Sequence, residues 1–436
     1  MTMIHRAVLL AAGLAATACA QTPDGPLAGC IGTLRAELPR HPEITPESFD
    51  RYTREVQDLR PLIERASQAQ PEFTLPVWDY LARRVDDERI ADGRALLVRE
   101  APALSTIEQR HGVDAASVVA VFGIETDYGR VQGRYPVVDA TLSRACLRPD
   151  SAERRRHFFA ALWLLQQGMV QRDEFLGSWA GAFGMTQFMP GTFVDSIDDD
   201  GGGSGRPDIL HSVPDALAVT ARYLNSLGWD AGRRWGLEVS VPAPLASTWN
   251  ALEGEHQCLA AAQPEGKCRT LRQWAADGVR MVDGKPLQDA DAARGMGNED
   301  TLAALLMPAG PQGPAWLVAR NYQAFWRYNR ADAYALAIGL LADALRGEPQ
   351  QQAAWPTDDP GLSRGDLREL QRRLHDAGHC DVSDDGREGP VTQAAIRAEE
   401  AGRGLPETGR AGQRLLHLLR QAAAGAAPAA CEDVRR

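Results

Sequence analysis

One apolar stretch that ends in a carboxylate constrains this chain more than any other feature. Val118 to Ile124 reads VVAVFGI, and Glu125 follows directly. Asp114 is a good N-cap, so we predict a helix from Ala115 to Thr126 that is buried on most faces. Burial and the negative end of the helix dipole would both favour the protonated form of Glu125. A neutral carboxylic acid near pH 7 suits a general acid, although a hydrogen-bonded structural Glu fits this stretch equally well.

Two further segments have the composition of a sugar-binding cleft. Gly177 to Gly191 (GSWAGAFGMTQFMPG) combines four glycines with three aromatic residues and shows no amphipathic period. Asn321 to Arg330 (NYQAFWRYNR) interleaves aromatic rings with amide and guanidinium groups. Glycines let a backbone approach a ligand closely, and aromatic faces suit sugar rings. Helix packing alone would also explain the rings of the second segment.

Together these three segments closely resemble the lytic murein transglycosylase B family. That family has a G-[IV]-E-T-x-[WY]-G segment, then G-S-x-A-G-A-x-G-x-x-Q-F-M-P, then a late R-Y-N, and all three occur here in this order. The resemblance spans roughly Cys30 to Leu345 and implies a mainly α, lysozyme-like helical catalytic domain with minor β structure. It also implies cleavage of the β-1,4 bond between N-acetylmuramic acid and N-acetylglucosamine in peptidoglycan. In this reaction the muramyl C6 hydroxyl attacks the anomeric carbon and leaves a 1,6-anhydro end.

The resemblance implies roles for individual residues of this sequence. Glu125 is the expected general acid and then base, and Ser178 is expected to contact the muramyl N-acetyl group. The other substrate-binding residues that it implies are Gln187, Tyr223, Tyr328, Asn329, Tyr334 and the arginine pair Arg154 and Arg155. Two positions depart from the family, because Met185 stands in place of a tyrosine and Ala331 in place of a serine. Both departures concern the grip on the substrate and leave proton transfer untouched.

Two other functions remain open at this stage. Ordinary glycosidases need a second carboxylate, about 5 Å or about 6.5–9.5 Å from the first. Asp127 is two residues from Glu125 and would point to a different helical face, so we interpret it as a solvated or capping residue. A distant carboxylate brought close by folding would make a hydrolytic, lysozyme-like muramidase. A non-catalytic peptidoglycan-binding scaffold is the third hypothesis, and the intact Glu125, Ser178, Gln187 and Asn329 argue against it.

Length, charge and missing motifs narrow the possibilities further. A chain of 436 residues is too long for one core and predicts two or three domains. The formal net charge of −11 argues against a nucleic-acid partner, and we expect a monomer whose partner is the peptidoglycan glycan strand. No zinc or phosphate-loop motif occurs, so neither a metal nor a cofactor is expected. The acidic loop Asp198 to Asp208 lies where the family carries an EF-hand-like loop, but glycines dilute it and we interpret it as a flexible surface loop.

The amino terminus predicts export. Residues 1–20 combine an early Arg, a short apolar region and small residues, as a signal peptide does. Thr17-Ala18-Cys19 resembles the end of a lipobox, which would make Cys19 the site of lipidation. Cleavage after Ala18-Cys19-Ala20 would instead release a soluble protein. We favour the lipoprotein and expect it in the periplasm of a Gram-negative bacterium, held to the outer membrane only by its lipid.

The cysteines fit an oxidising compartment. Apart from Cys19 the chain has six, an even number, and none forms a C-x-x-C. Six cysteines allow 15 pairings, and their positions in the chain favour Cys30–Cys146, Cys258–Cys268 and Cys380–Cys431, with free thiols as the alternative.

The segments outside the motifs define the domain organisation. Helical spacing predicts helices at Ala152–Met169, Pro214–Leu227 and Ala333–Leu345, whereas Glu238 to Gln312 predicts small strands beside the cleft. We expect a catalytic domain over residues 27–346, a Pro- and Gln-rich linker over 347–361, a small module over 362–421 and a tail over 422–436.

The small module resembles the three-helix peptidoglycan-binding domain that is often fused to cell-wall enzymes. Leu367, Leu370 and Leu374 form a helical stripe, and Asp385 to Thr392 contains the D-G-x-x-G-P-x-T core of that domain. Ala398-Glu399 departs from the aromatic residue and Gln that usually follow this core. We expect the module to bind peptidoglycan, with a purely structural tail as the alternative, and to be dispensable for cleavage of short soluble glycans.

Overall fold

The computed structural model describes residues 25–197, 206–248, 255–260, 268–287, 295–422 and 431. The signal peptide, Cys19 and most of the acidic loop 198–208 lie outside the described residues. Within the described ranges, no helix is long and apolar enough to cross a membrane. The same ranges contain no group of three or more His, Cys, Asp or Glu side chains that could hold a metal ion.

Helices build most of the molecule, as the sequence predicts. The helices before the sheet are α1 Ala28–Ala36, α2 Pro46–Thr53, α3 Arg60–Ser67, α4 Pro71–Thr74, α5 Val77–Arg84, α6 Asp87–Arg99, α7 Ala101–His111, α8 Ala115–Thr126, α9 Val137–Leu147, α10 Ala152–Gln166, α11 Pro190–Ser196 and α12 Val213–Ser226. The later helices are α13 Ala243–Thr248, α14 Leu271–Ala276, α15 Arg320–Asn329, α16 Asp332–Arg346, α17 Arg364–Asp376, α18 Pro390–Gly402 and α19 Gln413–Ala422. Short 3₁₀ turns cover Leu38–Arg40 and Glu255–Ala260.

Helix α8 forms the centre of the largest core and begins and ends where the sequence predicts. The Asp114 carboxylate accepts a hydrogen bond from the Ser117 N–H at 3.0 Å, so it is the N-cap. Every residue from Ala116 to Ile124 is buried, because α16, α6 and α12 pack around the helix. The apolar run therefore serves a helix that is surrounded on nearly all sides.

The other predicted helices are confirmed with small differences at their ends. Helix α10 ends at Gln166, three residues before the predicted Met169, because Gly168 adopts a left-handed φ of 63° that closes the helix. Helices α12 and α16 lie within one residue of the predicted bounds at each end.

In the described part of the chain, the minor β structure forms two antiparallel sheets. Strands β1 Tyr135–Pro136 and β2 Leu176–Gly177 pair beside the glycine-rich segment. Strands β3 Gly236–Ser240, β4 Arg269–Thr270, β5 Arg280–Met281, β6 Leu302–Leu306 and β7 Ala315–Val318 form a five-stranded sheet in the order β4-β6-β7-β3-β5. This larger sheet has its own core around Trp274 and Leu317, and its strands contribute nothing to the cleft described below. The predicted small strands are therefore present, and their described residues do not line the cleft.

The three disulfides join the cysteines that the sequence positions favour. Cys30–Cys146 connects α1 to α9, Cys258–Cys268 closes a short loop, and Cys380–Cys431 ties the carboxyl-terminal tail to the last domain. The Cα atoms of each pair are 5.5–5.9 Å apart, which is normal for a disulfide.

The carboxyl-terminal domain consists of three helices, as expected, with its own leucine-rich core. The D-G-x-x-G-P-x-T segment is held by one buried amide. Gln371 donates hydrogen bonds to Asp385 Oδ1 at 3.1 Å and to the Arg387 carbonyl at 2.9 Å, and it accepts one from the Gly386 N–H at 2.8 Å. Glu399, one of the departing residues, pairs with His379 at 2.9 Å and with Arg403. The D-G-x-x-G-P-x-T segment and Glu399 therefore both have structural roles inside the domain.

The segment over 347–361, which its composition predicts to be a linker, is packed and hydrogen-bonded. The Trp355 ring lies 6.2 Å from that of Trp78 and 6.0 Å from that of Trp316, centroid to centroid. The backbone N–H groups of Gln352 and Ala353 each donate to the Glu238 carboxylate at 2.8 Å. The segment is thus attached to the catalytic domain along its length.

Candidate active site

A cleft of about 790 Å³ opens above the end of α8 and brings most of the predicted site residues together. The predicted residues that line it are Glu125, Ser178, Gln187, Tyr223, Tyr328, Asn329 and Arg154. They come from α8, the glycine-rich segment, α12, α10 and the end of α15. Tyr334 lies behind them on α16 and reaches the cleft through its contact with Glu125.

Glu125 is half-buried and accepts one side-chain hydrogen bond. The Tyr334 hydroxyl donates this hydrogen bond to Glu125 Oε1. Arg84, on α5, donates to the carbonyl of Ile124 at 3.3 Å and so lies next to the last turn of α8. The acid therefore faces the cleft on one side and a hydroxyl and a guanidinium on the other.

Burial raises the pKa of Glu125 from 4.5 to about 7. The hydrogen bond from Tyr334 and the positive charge of Arg84 both lower this pKa, whereas the charge of Glu72 raises it. Desolvation is the largest effect, because a neutral carboxyl group loses less hydration free energy than a carboxylate when water is excluded. Glu125 can therefore hold a proton near neutral pH and give it up without a large penalty.

Aromatic rings form one wall of the cleft. The Tyr223 and Tyr328 rings meet edge to face with centroids 5.3 Å apart, and Phe188 packs against both. The Tyr328 hydroxyl donates to the Thr186 carbonyl at 2.7 Å, which fixes the ring. Of the segment Asn321 to Arg330, the buried first half packs into the core and only the last turn faces the cleft. Helix packing and ligand binding thus each explain part of that segment.

The glycine-rich segment folds into a tight loop around Ser178. The Ser178 N–H donates to the Ala182 carbonyl at 2.7 Å, and the Ser178 Oγ accepts from the N–H groups of Ala180 and Ala182 at 3.3 and 3.1 Å. A Cβ on Gly177 would lie 2.1 Å from the Ala182 carbonyl oxygen, so this close approach requires glycine. Because the loop uses the lone pairs of the hydroxyl, its hydrogen can be donated to a ligand in the cleft.

Two amide side chains are held by the protein itself. Gln187 has a left-handed φ of 51°, and its Nε2 donates to the carbonyls of Gln132 at 3.0 Å and Gly184 at 2.9 Å. Both amide hydrogens are therefore used, and the carbonyl oxygen is the group that can meet a ligand. Asn329 donates through Nδ2 to Glu72 Oε1 at 3.3 Å.

Of the predicted arginine pair, one member lines the cleft and the other does not. Arg154 lines the cleft, but Arg155 donates to the Pro149 carbonyl and pairs with Glu37 at 3.2 Å, away from it. Neighbouring residues on a helix point to different faces, so one helix turn cannot aim both side chains into the cleft. Arg144, Arg148, Arg327 and Arg330 also line the cleft, and Arg144 Nη1 donates to the Ala180 carbonyl at 3.0 Å.

Several cleft residues carry no signal in the sequence that could have revealed them. Arg144 and Glu72 reach the cleft only through the folding of α9 and α4. His157 is buried beside Arg154, and its Nδ1 accepts from the Gly191 N–H at 3.2 Å. Burial lowers the pKa of His157 to about 4, so the ring is neutral at physiological pH and serves as a hydrogen-bonding wall.

The residues that depart from the family lie behind the cleft. The Met185 side chain is buried, and its carbonyl accepts a hydrogen bond from the Thr126 hydroxyl. Ala331 is also buried, immediately before α16. Asp127 is a C-cap with a left-handed φ of 53°, but it is not solvated, since it pairs with Arg364 at 2.8 Å and with Arg89 at 3.3 Å.

Comparison with known proteins gives a consistent result. Residues 29–343 match the family model described as the transglycosylase SLT domain, and residues 363–419 match a peptidoglycan-binding domain. The membrane-bound lytic murein transglycosylase B of Escherichia coli (strain K12) is 26% identical over 270 residues, which are 61% of this chain and 66% of that protein. The chain thus spans just under two thirds of the length of this curated relative.

Solved structures of Pseudomonas aeruginosa proteins are also similar. SltB3 in complex with NAG-anhNAM-pentapeptide is 38% identical with a TM-score of 0.65, covering 91% of this chain and 100% of that one. Soluble lytic transglycosylase SltB1 is 25% identical with a TM-score of 0.59, covering 73% of this chain and 99% of that one. Because the family match extends over most of the sequence and these structures share the fold, the chain belongs to the transglycosylase SLT family.

Proposed function

We propose that this protein is a peptidoglycan lytic transglycosylase in which Glu125 acts as general acid and then as general base. The observation that carries this proposal is the Glu125 carboxyl in the cleft, whose pKa of about 7 lets it both hold and release a proton near neutral pH. One acid in that state can serve both proton transfers when the substrate supplies its own nucleophile.

The reaction proceeds in two proton transfers. Glu125 gives its proton to the glycosidic oxygen, the bond from that oxygen to the muramyl C1 breaks, and N-acetylglucosamine leaves with a free hydroxyl. The resulting Glu125 carboxylate takes the proton from the muramyl C6 hydroxyl as its oxygen bonds to C1. A 1,6-anhydro ring forms, Glu125 is protonated again, and no water is consumed.

The surrounding residues suit these steps. The Tyr334 hydroxyl stabilises the carboxylate between the two transfers by its hydrogen bond to Oε1. Ser178 can donate its hydroxyl hydrogen to the muramyl N-acetyl carbonyl. The rings of Tyr223 and Tyr328 offer apolar faces to sugars, and Arg154 offers positive charge to carboxylates of the substrate.

A hydrolytic muramidase is the second candidate, because Glu72 is a further carboxylate whose charge acts on Glu125. Its Oε1 accepts from Asn329 at 3.3 Å and from Gln70 at 3.4 Å, and these bonds tie it to the cleft wall. SltB3 has been crystallised with NAG-NAM-pentapeptide and also with NAG-anhNAM-pentapeptide, and the anhydro sugar of the second ligand is the product that a transglycosylase would form.

Mass spectrometry of peptidoglycan digested by the purified protein tests the proposal. We expect anhydromuramyl ends from the wild type, and Glu125→Gln should lower the rate by more than the ~10²–10⁴-fold typical of general acid–base catalysis. Reducing muramyl ends would identify a hydrolase, and digestion without products would leave a binding scaffold. A folded Glu125→Gln variant with more than a tenth of the wild-type rate would place the acid elsewhere.

We also propose where the protein acts and how its parts divide. An envelope location fits a chain with a peptidoglycan-binding domain and a relative named as membrane-bound. Lipidation at Cys19 would supply the anchor to the outer membrane, and metabolic labelling with a fatty acid in wild type and Cys19→Ala tests it. We assign catalysis to residues 27–346 and wall binding to 362–421, in a protein that works as a monomer.

A further inference from the structure

The carboxyl-terminal domain is joined to the catalytic domain by buried ion pairs as well as by the chain. Arg410 donates two hydrogen bonds of 2.6 Å to the Asp79 carboxylate, which is completely buried on α5. Arg364, the first residue of α17, forms a second such connection. Bidentate pairs between arginine and carboxylate groups hold a fixed geometry, so this domain is docked in a defined orientation.

Arg364 joins two carboxylates of the catalytic domain. Its Nε and Nη2 donate to the two oxygens of Asp86 at 2.9 and 3.1 Å, and its Nη1 donates to Asp127 Oδ2 at 2.8 Å. The side chains of Arg364, Asp86 and Asp127 are only 16%, 2% and 17% exposed. Such shielded charges interact more strongly than the exposed pairs that contribute little in most proteins.

Asp127 ends the helix that carries Glu125. Its backbone N–H donates to the Gly123 carbonyl at 3.1 Å, and its φ of 53° lies in the left-handed region that non-glycine residues rarely adopt. Arg89 pairs with the same carboxylate from α6 at 3.3 Å. Arg130, which is about half exposed, donates to Asp127 Oδ2 at 3.3 Å, a longer contact than that of Arg364 to the same oxygen. A strained residue two positions after the acid is therefore held by two arginines of the catalytic domain and by one of the carboxyl-terminal domain.

We propose that Arg364 is a positioning residue for the catalytic acid. By holding Asp127, it fixes the last turn of α8 and keeps Glu125 directed into the cleft. The inference rests on the proposed transglycosylase function and deepens it. It also revises the sequence-based expectation that the carboxyl-terminal domain is dispensable for short soluble glycans, since that domain supplies a group that the active site needs.

Kinetics on a soluble tetrasaccharide of alternating N-acetylglucosamine and N-acetylmuramic acid test this proposal, with the full-length protein throughout. Arg364→Ala should lower kcat by about ten- to hundredfold, the scale expected when a catalytic group is misplaced by about 1 Å, and should leave KM within about twofold. Its pH profile should lose activity at a lower pH than that of the wild type, because water that reaches Glu125 lowers the pKa of the acid. Arg364→Lys keeps the positive charge but loses the guanidinium group that binds two carboxylates at once. Its kcat should therefore lie between those of Arg364→Ala and the wild type.

Two other arginines of the same domain are the controls. Arg368 pairs with Glu88, and both side chains are about a third or more exposed, so Arg368→Ala should leave kcat and the pH profile unchanged. Arg410→Ala weakens docking at Asp79 without removing a contact to Asp127, and its loss of kcat should be clearly smaller. Circular dichroism and melting curves establish that each variant is folded.

The outcomes separate the two proposals. An Arg364→Ala protein with wild-type kcat and pH profile would overturn the positioning role, and so would an equal loss in Arg410→Ala. If Arg364→Ala does not fold, Arg364→Lys provides the test. Wild-type kinetics in Arg364→Lys would overturn the proposal that the guanidinium group of Arg364 positions Glu125. A wild-type protein that releases no anhydro product from the tetrasaccharide would refute the proposed function itself.

Discussion

Replacing Glu125 by Gln should change how the stability of the protein depends on pH. The carboxyl has an ordinary pKa of 4.5 and a pKa of about 7 in the folded protein, raised by burial. Between these values the folded state holds a proton that the unfolded state releases, so stability falls as pH rises through this window. Gln stays neutral and resembles the protonated acid in volume and hydrogen bonding, so the variant should not show this fall.

The size of the effect follows from the two pKa values. About 1.36 kcal/mol for each tenfold change in proton affinity gives about 3 kcal/mol between 4.5 and 7. We therefore expect the wild type and Glu125→Gln to be equally stable near pH 4. At pH 8 the variant should be more stable by about 3 kcal/mol. Asp343, whose pKa burial raises to about 6, titrates in both proteins and cancels in the difference.

Urea unfolding at a series of pH values between 4 and 8, followed by tryptophan fluorescence, measures this difference. Glu153→Gln removes an exposed carboxylate at the rim of the same cleft and is the matched control, whose curve should run parallel to that of the wild type. If the wild type and Glu125→Gln also run parallel from pH 4 to pH 8, Glu125 does not carry its proton into the neutral range. The proposed acid would then lack its physical basis.

Two further changes have defined outcomes. Tyr334→Phe removes a hydrogen bond that lowers the pKa of Glu125. The alkaline limb of the pH profile of kcat/KM should therefore move above pH 7, and kcat should fall. An alkaline limb at the wild-type pH would refute this role of Tyr334. Replacing Cys30 and Cys146 together by Ser opens a loop of 116 residues and should lower the free energy of unfolding by about 4–5 kcal/mol, with cleavage retained at 25 °C; equal denaturation midpoints would contradict this value.

The local parts of the active site could be predicted from the sequence because short-range rules determine them. The helix from Ala115 to Thr126 follows from its N-cap and its apolar run. The glycine-rich loop around Ser178 follows from residues that no regular element accommodates. In both cases the residues that determine the local structure lie within a stretch of fifteen residues or fewer.

The residues that the sequence did not reveal act over long distances in the chain. Arg144 and Arg155 are both arginines on helices, and only the packing of α9 and α10 decides which one faces the cleft. The position of Asp127 just after the helix predicts a solvated or capping residue. In the structure it accepts a hydrogen bond from Arg364, which lies 237 residues later in the sequence. The segment around Trp355 has a linker composition, and its single aromatic residue packs between two distant tryptophans. No local pattern encodes such contacts.

Glu125 must hold a proton near neutral pH and must also be able to exist as a carboxylate during the proposed reaction. Burial alone would raise the pKa of the acid and would make its carboxylate, which must exist between the two proton transfers, too unfavourable to form. The hydroxyl of Tyr334 and the charge of Arg84 act in the other direction, and the balance lies near 7. Because this balance depends on a few contacts at the last turn of α8, the groups that hold that turn matter as much as those that touch the acid. Asp127 and Arg364 occupy that position, which in the proposed mechanism connects the carboxyl-terminal domain to the proton transfer.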